Sequence, residues 1–128
     1  MLTARFTSGI SLAGSNANLS GYADIEDGSA LIIDNTVAAN NTAETLTGVA
    51  FDKTKLRGIY VVSNIACNAT FSGTSNPALH LAAGVPYVWH DASNITNPFG
   101  NNVTNCRIDN NNATAAAHVQ MNIILDPS

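Results

Sequence analysis

Charged side chains are scarce in this sequence of 128 residues: they make up 11% of the chain, less than half of the usual share of about 25%. Five of the charges are basic and nine are acidic, which gives a net charge of −4. A nucleic-acid-binding protein needs a basic face, and five Lys and Arg residues cannot build a large one. The composition also excludes a charge-driven disordered chain and a coiled coil.

Long apolar runs are missing too. None approaches the roughly 20 residues of a membrane-spanning helix. Residues 1–15 contain one basic residue and no continuous apolar run, so we expect no signal peptide, no membrane partner and synthesis in a cytoplasm. Because disulfides are rare in such a compartment, Cys67 and Cys106 are predicted to be free and buried.

The usual motifs of metal binding and catalysis are not found. His80, His90 and His118 lie on different predicted strands, without the i, i+4 spacing of a helical zinc site. The pair His90-Asp91 suits a ligand or an acid/base pair, but it is also typical of a strand end. There is no Gly-x-Ser-x-Gly elbow and no Cys-x-x-Cys pair. We therefore predict no enzymatic activity, no catalytic residue, no cofactor and no metal site.

One acidic cluster leaves an enzymatic alternative open. Asp24, Glu26 and Asp27 lie close together in the sequence, and glycoside hydrolysis needs two carboxylates at a fixed separation. The same residues with Gly28 suit an ordinary hairpin turn with solvated acids. An enzyme would require Glu26, Asp27 or His90 to converge in one cleft.

Carbohydrate binding is a second alternative. Tyr87 and Trp89 suit a platform on which a sugar ring stacks, but their alternation on one strand favours a place in the core. A sugar-binding site would require Tyr60, Tyr87 or Trp89 to be exposed to solvent. Aromatic residues make up 6% of the chain, which is low for a carbohydrate-binding module.

Uncharged polar residues replace the missing charge. The sequence contains 17 Asn and 12 Thr. Such side chains are desolvated at lower cost than charges, so this composition favours a surface that contacts neighbouring subunits.

Alternation of apolar and polar residues predicts strands and almost no helix. The clearest case is 115–125, where Ala117, Val119, Met121, Ile123 and Leu125 are expected to form one buried face. The other predicted strands are 21–25, 30–34, 46–51, 57–65, 79–81, 85–89 and 103–109.

Several details of these strands are also predicted. We expect 57–65 to be a central strand, and Ile59, Val61, Leu79 and Leu81 to share the core of 115–125. The pattern predicts one shared face for Val85, Tyr87 and Trp89, opposite faces for Cys106 and Ile108, and a turn at Ala83-Gly84. It also predicts that Asp52 caps a helical turn over 52–56.

The spacing of these strands predicts an all-β, single-domain β-sandwich, jelly-roll-like, with about eight short antiparallel strands over 21–128. Residues 1–20 are weakly patterned and are predicted to form an N-terminal contact arm, with an ordinary edge strand as the alternative. The candidate partner contacts are its apolar residues, Leu2, Phe6, Ile10, Leu12 and Leu19.

The order of several short motifs resembles a known group of proteins. These are Phe-Asp at 51–52, Lys-Leu-Arg-Gly-Ile-Tyr-Val-Val-Ser at 55–63, Leu-His-Leu-Ala-Ala-Gly-Val-Pro-Tyr-Val-Trp at 79–89, Asn-Pro-Phe at 97–99, Val-Thr at 103–104, Asn110 and Asp-Pro at 126–127. In this order they resemble small auxiliary structural proteins of tailed bacteriophage virions, of the head decoration or cement type. The resemblance covers residues 46–128, about two-thirds of the chain.

This resemblance implies a β-sandwich packed on a capsid, without catalysis. We therefore expect a virion protein on the capsid surface, assembled in the host cytoplasm. Its expected partners are the major capsid protein and further copies of itself, in a homotrimer. The alternatives are a tail or baseplate component and a carbohydrate-binding attachment module of the same virion.

Overall fold

The computed structural model describes residues 2–11 and 18–127, and these ranges contain nine strands and one turn of 3-10 helix. The strands are β1 Leu2–Ser11, β2 Asn18–Val37, β3 Glu44–Leu46, β4 Leu56–Ser63, β5 Cys67–Phe71, β6 Ala78–Leu81, β7 Tyr87–His90, β8 Cys106–Asp109 and β9 Ala117–Leu125. The 3-10 helix covers Lys53–Lys55, and Asp52 caps it by accepting the Thr54 N–H at 2.8 Å, as predicted. The predicted all-β class is confirmed.

The strands form two antiparallel sheets. The first has five strands in the order β1-β2-β9-β4-β7, and the second has four in the order β3-β8-β5-β6. From β2 to β9 the chain passes back and forth between the sheets, and each sheet takes four of these eight strands. This arrangement is a jelly roll. β1 pairs with residues 18–28 of β2, beyond the part of β2 that pairs with β9.

The core lies between the two sheets, and β9 is its clearest strand. Ala117, Val119, Met121 and Ile123 are each fully buried, and Leu125 packs against the core from a half-buried position. The predicted companions belong to the same cluster: Ile59, Val61, Leu79 and Leu81. The predicted buried face of 115–125 is therefore confirmed.

Three details of the predicted strands are wrong. Cys106 and Ile108 are both fully buried in the same core, because residues two apart in a strand share a face. Val85 is exposed in the turn that precedes β7, where Gly84 has φ +71°. The predicted strand 46–51 is broken by a turn after Leu46, and Phe51 forms an isolated bridge with Val103.

Asparagine side chains hold several loops together. Asn41, Asn97 and Asn112 each accept a hydrogen bond from the backbone N–H two residues further on, at distances of 2.9 to 3.1 Å. Such bonds replace the backbone pairing that a loop lacks. Some of the uncharged polar residues therefore stabilise loops within this chain.

Asn110 connects three segments at one end of the sandwich. It is fully buried, and its side-chain Nδ2 donates to the carbonyls of Val37, Ala38 and Ala115 at 3.0 to 3.2 Å. Its Oδ1 accepts the backbone N–H of Asn112 at 3.1 Å. The end of β2, the loop after β8 and the approach to β9 are thereby joined by one side chain.

Candidate functional site

The candidate contact residues of the N-terminal segment lie on β1 and at the start of β2, apart from Leu12, which lies outside the described residues. Leu2 and Ile10 belong to β1 and Leu19 belongs to β2, but their side chains also lie outside the description. Phe6 is half-buried and packs against its own chain. β1 is an edge strand, and the boundary proposed after residue 20 falls inside β2.

β2 is long enough to belong to two ladders. Its residues 18–28 pair with β1, and its residues 29–37 pair with β9. The β1/β2 hairpin, defined as residues 2–11 with 18–28, packs on the outer face of the five-stranded sheet. Phe6 lies there against His90 of β7, with the two ring centroids 5.1 Å apart.

Gly58 of β4 allows the hairpin to approach the sheet closely. A Cβ atom at this position would lie 2.6 Å from Cζ of Phe6 and 3.1 Å from Cδ1 of Ile25. Both distances are shorter than ordinary carbon contacts. The absence of a side chain at Gly58 therefore makes room for the two apolar residues that hold the hairpin on the sheet.

A groove lies between the hairpin and the outer face of the sheet. Its volume is about 380 Å³. Residues 4–7 of β1 form its wall, and its floor comes from the outer faces of β2, β4, β7 and β9. The floor residues are Ala30, Ile32, Tyr60, Val88, Asn122 and Ile124. Ile32 is 71% exposed and Val88 43% exposed, so the floor is a largely apolar surface open to solvent, with the exposed Asn122 between Ile32 and Tyr60.

The charges around the groove are paired within the chain. Arg5 donates to both carboxylate oxygens of Asp24, at 2.7 and 2.8 Å, and its guanidinium lies 4.2 Å from the ring centroid of Tyr22. Hydrogen bonds from Arg5 lower the pKa of Asp24, so the pair stays ionised at neutral pH. The groove therefore presents an apolar floor and a neutralised rim.

No hydrogen bond or ion pair joins the described side chains of Asp24 and Glu26 to His90, the histidine named for catalysis. Asp24 is bound by Arg5, and the backbone carbonyl of Glu26 accepts a hydrogen bond from Arg57 at 2.7 Å. Arg57 also contacts Asp91 at 3.2 Å. The side chain of Asp27 lies outside the described residues. His90 faces Phe6 instead of a carboxylate.

The other histidines lie apart from one another. His80 bonds to the side chain of Asn68 at 2.8 Å, and His118 lies 2.5 Å from a carboxylate oxygen of Asp34. In the described part of the chain, no group of three or more His, Cys, Asp or Glu side chains is placed to hold a metal ion.

The aromatic residues named for sugar binding are mostly covered. Trp89 is buried, and its indole N–H donates to the carbonyl of Ile95 at 2.8 Å. Tyr87 is half-buried against the core, and burial raises its pKa. Tyr60 is half-buried in the floor of the groove. These residues do not form an open stacking platform.

The groove floor was missed by the sequence analysis, although its signal was present. Ile32 and Ile33 are adjacent in β2, and Val88 lies between Tyr87 and Trp89 in β7. Apolar residues at consecutive strand positions point to opposite faces, so both faces of these strands had to be apolar. An apolar outer face on an antiparallel sheet indicates that something covers it.

Both cysteines are free and buried. Burial, together with the charge of the nearby Cys67 thiolate, raises the pKa of the Cys106 thiol from 9.0 to about 12. The reactive form of a thiol is the thiolate, which is correspondingly rare here.

We expect iodoacetamide to alkylate native Cys106 about 1,000-fold more slowly than the unfolded chain, at any pH below both pKa values. The measurement is a mass-spectrometric time course that follows the peptide containing Cys106 in the wild-type chain, with the same chain in denaturant as the control. Equal rates in the two states would contradict the burial of this thiol.

The chain matches no protein-family model, and comparisons with curated proteins and with solved structures find no match. Within residues 2–11 and 18–127, no helix is long and apolar enough to cross a membrane.

Proposed function

We propose that the protein is a non-enzymatic structural protein of a bacteriophage virion. In this proposal it is a decoration or cement protein that binds the outer surface of the head and contacts the major capsid protein. It forms a homotrimer there.

The observation that carries the proposal is the uncovered apolar floor of the groove beside the β1/β2 hairpin. Ile32 and Val88 expose apolar surface on either side of Asn122 and Tyr60, in a chain that is otherwise rich in polar surface residues. Contiguous exposed apolar surface marks a site that a partner covers. The jelly roll adds support, since viral capsid proteins use this architecture, and so does the resemblance of residues 46–128 to phage auxiliary proteins.

The proposed mechanism is mechanical. Each copy buries surface against adjacent capsid subunits, and a ligand that binds the assembled state stabilises that state by mass action. A specific contact of this kind buries about 1,200–2,000 Å² in total. The groove and the adjoining hairpin supply part of that area.

Two alternatives are less well supported. Lectins also use jelly rolls, but the buried Trp89 and the half-buried Tyr87 disfavour a carbohydrate-binding module. A tail or baseplate component differs from the proposed protein in its location on the virion. The copy number per particle separates it from a head protein.

The test of the proposal is a mass-spectrometric inventory of purified particles of the phage that encodes the chain. We expect the protein in a copy number close to that of the capsid's repeating sites. Its absence from the particles would contradict a virion role, and a few copies per particle would favour the tail.

Deletion of residues 2–15 adds a structural prediction to this test. Within the described residues β1 pairs with no strand other than β2, so the trimmed chain is expected to keep most of its melting temperature and to lose binding to particles that lack the protein. The measurements are thermal denaturation and co-sedimentation. An unfolded product would show that the hairpin is part of the core.

A further inference from the structure

The wall of the groove is the free edge of a strand. Four consecutive residues of β1, 4–7, line the groove. Successive side chains of a strand point to opposite faces, so a wall of consecutive residues presents the backbone edge. β1 pairs with β2 along its other edge and with no further strand of the described part. Its unpaired N–H and C=O groups therefore face the groove.

Few features protect residues 4–7 of this edge from pairing. Natural proteins protect long edges with charges, proline, β-bulges or short strands, and the register shift of β1 lies between Leu2 and Ala4, at the start of the strand. β1 has ten residues and no proline, and its one charged residue, Arg5, is neutralised by Asp24. An incoming strand would find an edge that is open to pairing.

The chemistry of the groove specifies an uncharged occupant. Arg5 is the one charged residue among those that line the groove, and two of its nitrogens are already bound by Asp24. Ile32 and Val88 lie at the two ends of the floor, with Asn122 and Tyr60 between them, and offer apolar contacts to side chains on one face of an overlying strand. Charge complementarity therefore favours a segment with apolar residues at alternate positions.

A second copy of this hairpin is disfavoured as the occupant because it would bring charges into the groove. The apolar side of the hairpin, with Phe6 and Ile25, is already packed on its own sheet. The opposite side carries Arg5, Tyr22 and Asp24. An identical hairpin would therefore place an ion pair on the apolar floor, at a cost in desolvation.

We propose that the groove binds an extended, uncharged segment of another polypeptide, which adds as a strand to the free edge of β1 and places alternate apolar side chains on the floor. Backbone hydrogen bonds supply affinity in such complexes, and the contacts of alternate side chains supply specificity. A volume of about 380 Å³ lies within the usual range of binding sites, about 300–1,000 Å³. The proposal does not depend on a virion role, because any protein with such a segment would fit.

The probe is a displayed library of random decapeptides, selected against the full chain. We expect enriched peptides to have apolar residues at alternate positions. Ile32→Glu is expected to weaken binding of the synthesised peptides by about tenfold or more. The matched control is Ile95→Glu, since Ile95 is 68% exposed and does not line the groove. Peptides whose backbone nitrogens facing β1 are methylated are expected to lose binding, because they cannot donate hydrogen bonds to this strand.

Four results would overturn the proposal: no enrichment, enrichment without alternation, equal affinity for the Ile32→Glu and Ile95→Glu variants, or full affinity of the N-methylated peptides. A dimer that forms with concentration and is dissociated by Ile32→Glu would assign the groove to a second copy instead. Val88→Glu provides a second groove variant if Ile32→Glu fails to fold. Because none of these measurements uses virions, their failure is separate from failure of the proposed function.

Discussion

Replacing Asn110 with aspartate is expected to lower the free energy of unfolding by about 3–5 kcal/mol. The wild-type amide nitrogen donates to the carbonyls of Val37, Ala38 and Ala115 from a fully buried position. Aspartate would place a carboxylate oxygen against these three carbonyl oxygens, which lose the Asn110 amide as a donor, while the Ala38 carbonyl keeps the Asn41 N–H at 3.2 Å. Each buried acceptor left unsatisfied costs about 1–3 kcal/mol, and burial of an uncompensated charge adds to this.

The neighbouring residue supplies a matched control. Asn111→Asp makes the same chemical change at an exposed position, and we expect it to alter stability by no more than about 0.5 kcal/mol. The measurement is urea denaturation of both variants at neutral pH. Equal effects of the two changes would show that the Asn110 hydrogen bonds do not stabilise this end of the sandwich.

Ile123→Ala is expected to cost about 2–5 kcal/mol of unfolding free energy. Ile123 is fully buried in the middle of β9, opposite Ile59 of β4 on one side and Leu31 of β2 on the other. Truncation removes its apolar contacts and leaves a cavity that both neighbouring strands are too constrained to fill.

Ile32→Ala serves as the control for this prediction. It removes the same atoms from the same sheet, but on the outer face, where Ile32 is 71% exposed. We expect a change of no more than about 0.5 kcal/mol, measured by the same denaturation experiment. An unchanged unfolding midpoint for Ile123→Ala would mean that the register of β9 is wrong.

Strands with one polar and one apolar face were predictable, because apolar and polar residues alternate along them in the sequence. β9 is the example: its buried positions follow from alternation alone. β1 and the first half of β2 were predicted only in part, as a strand over 21–25 and an alternative edge strand in 1–20, since they consist largely of small and polar residues. Their pairing with each other and their packing on Gly58 are tertiary effects that no local pattern encodes.

The hydrogen bonds of the asparagine side chains were also predictable only in part. Bonds such as the one from the Ala43 N–H to Asn41 join residues two apart, so a loop assignment is enough to expect them. Asn110 instead reaches Val37, 73 residues away. In the sequence it stands in a run of three asparagines, and nothing there separates the buried one from Asn111 and Asn112.

The candidate site was predicted in part. Phe6 was named for partner contacts, and it lies beside the groove, although its own ring packs against His90. The floor was missed, because the strands that build it come from distant parts of the chain. Which outer faces adjoin the hairpin depends on strand order, and strand order is not a local property.

The pairing of β2 with β9 has to wait until nearly the whole chain has been synthesised. Ser29 is bonded to Leu125 across 96 residues of chain, so one edge of β2 has no partner until β9 has left the ribosome. Translation at about 5–20 residues per second makes this interval about 5–20 s. Pairing between such distant segments is also intrinsically slow. During that time the strand edge and the apolar faces of β2 are open to other nascent copies, so the yield of folded protein depends on how far apart the translating ribosomes are.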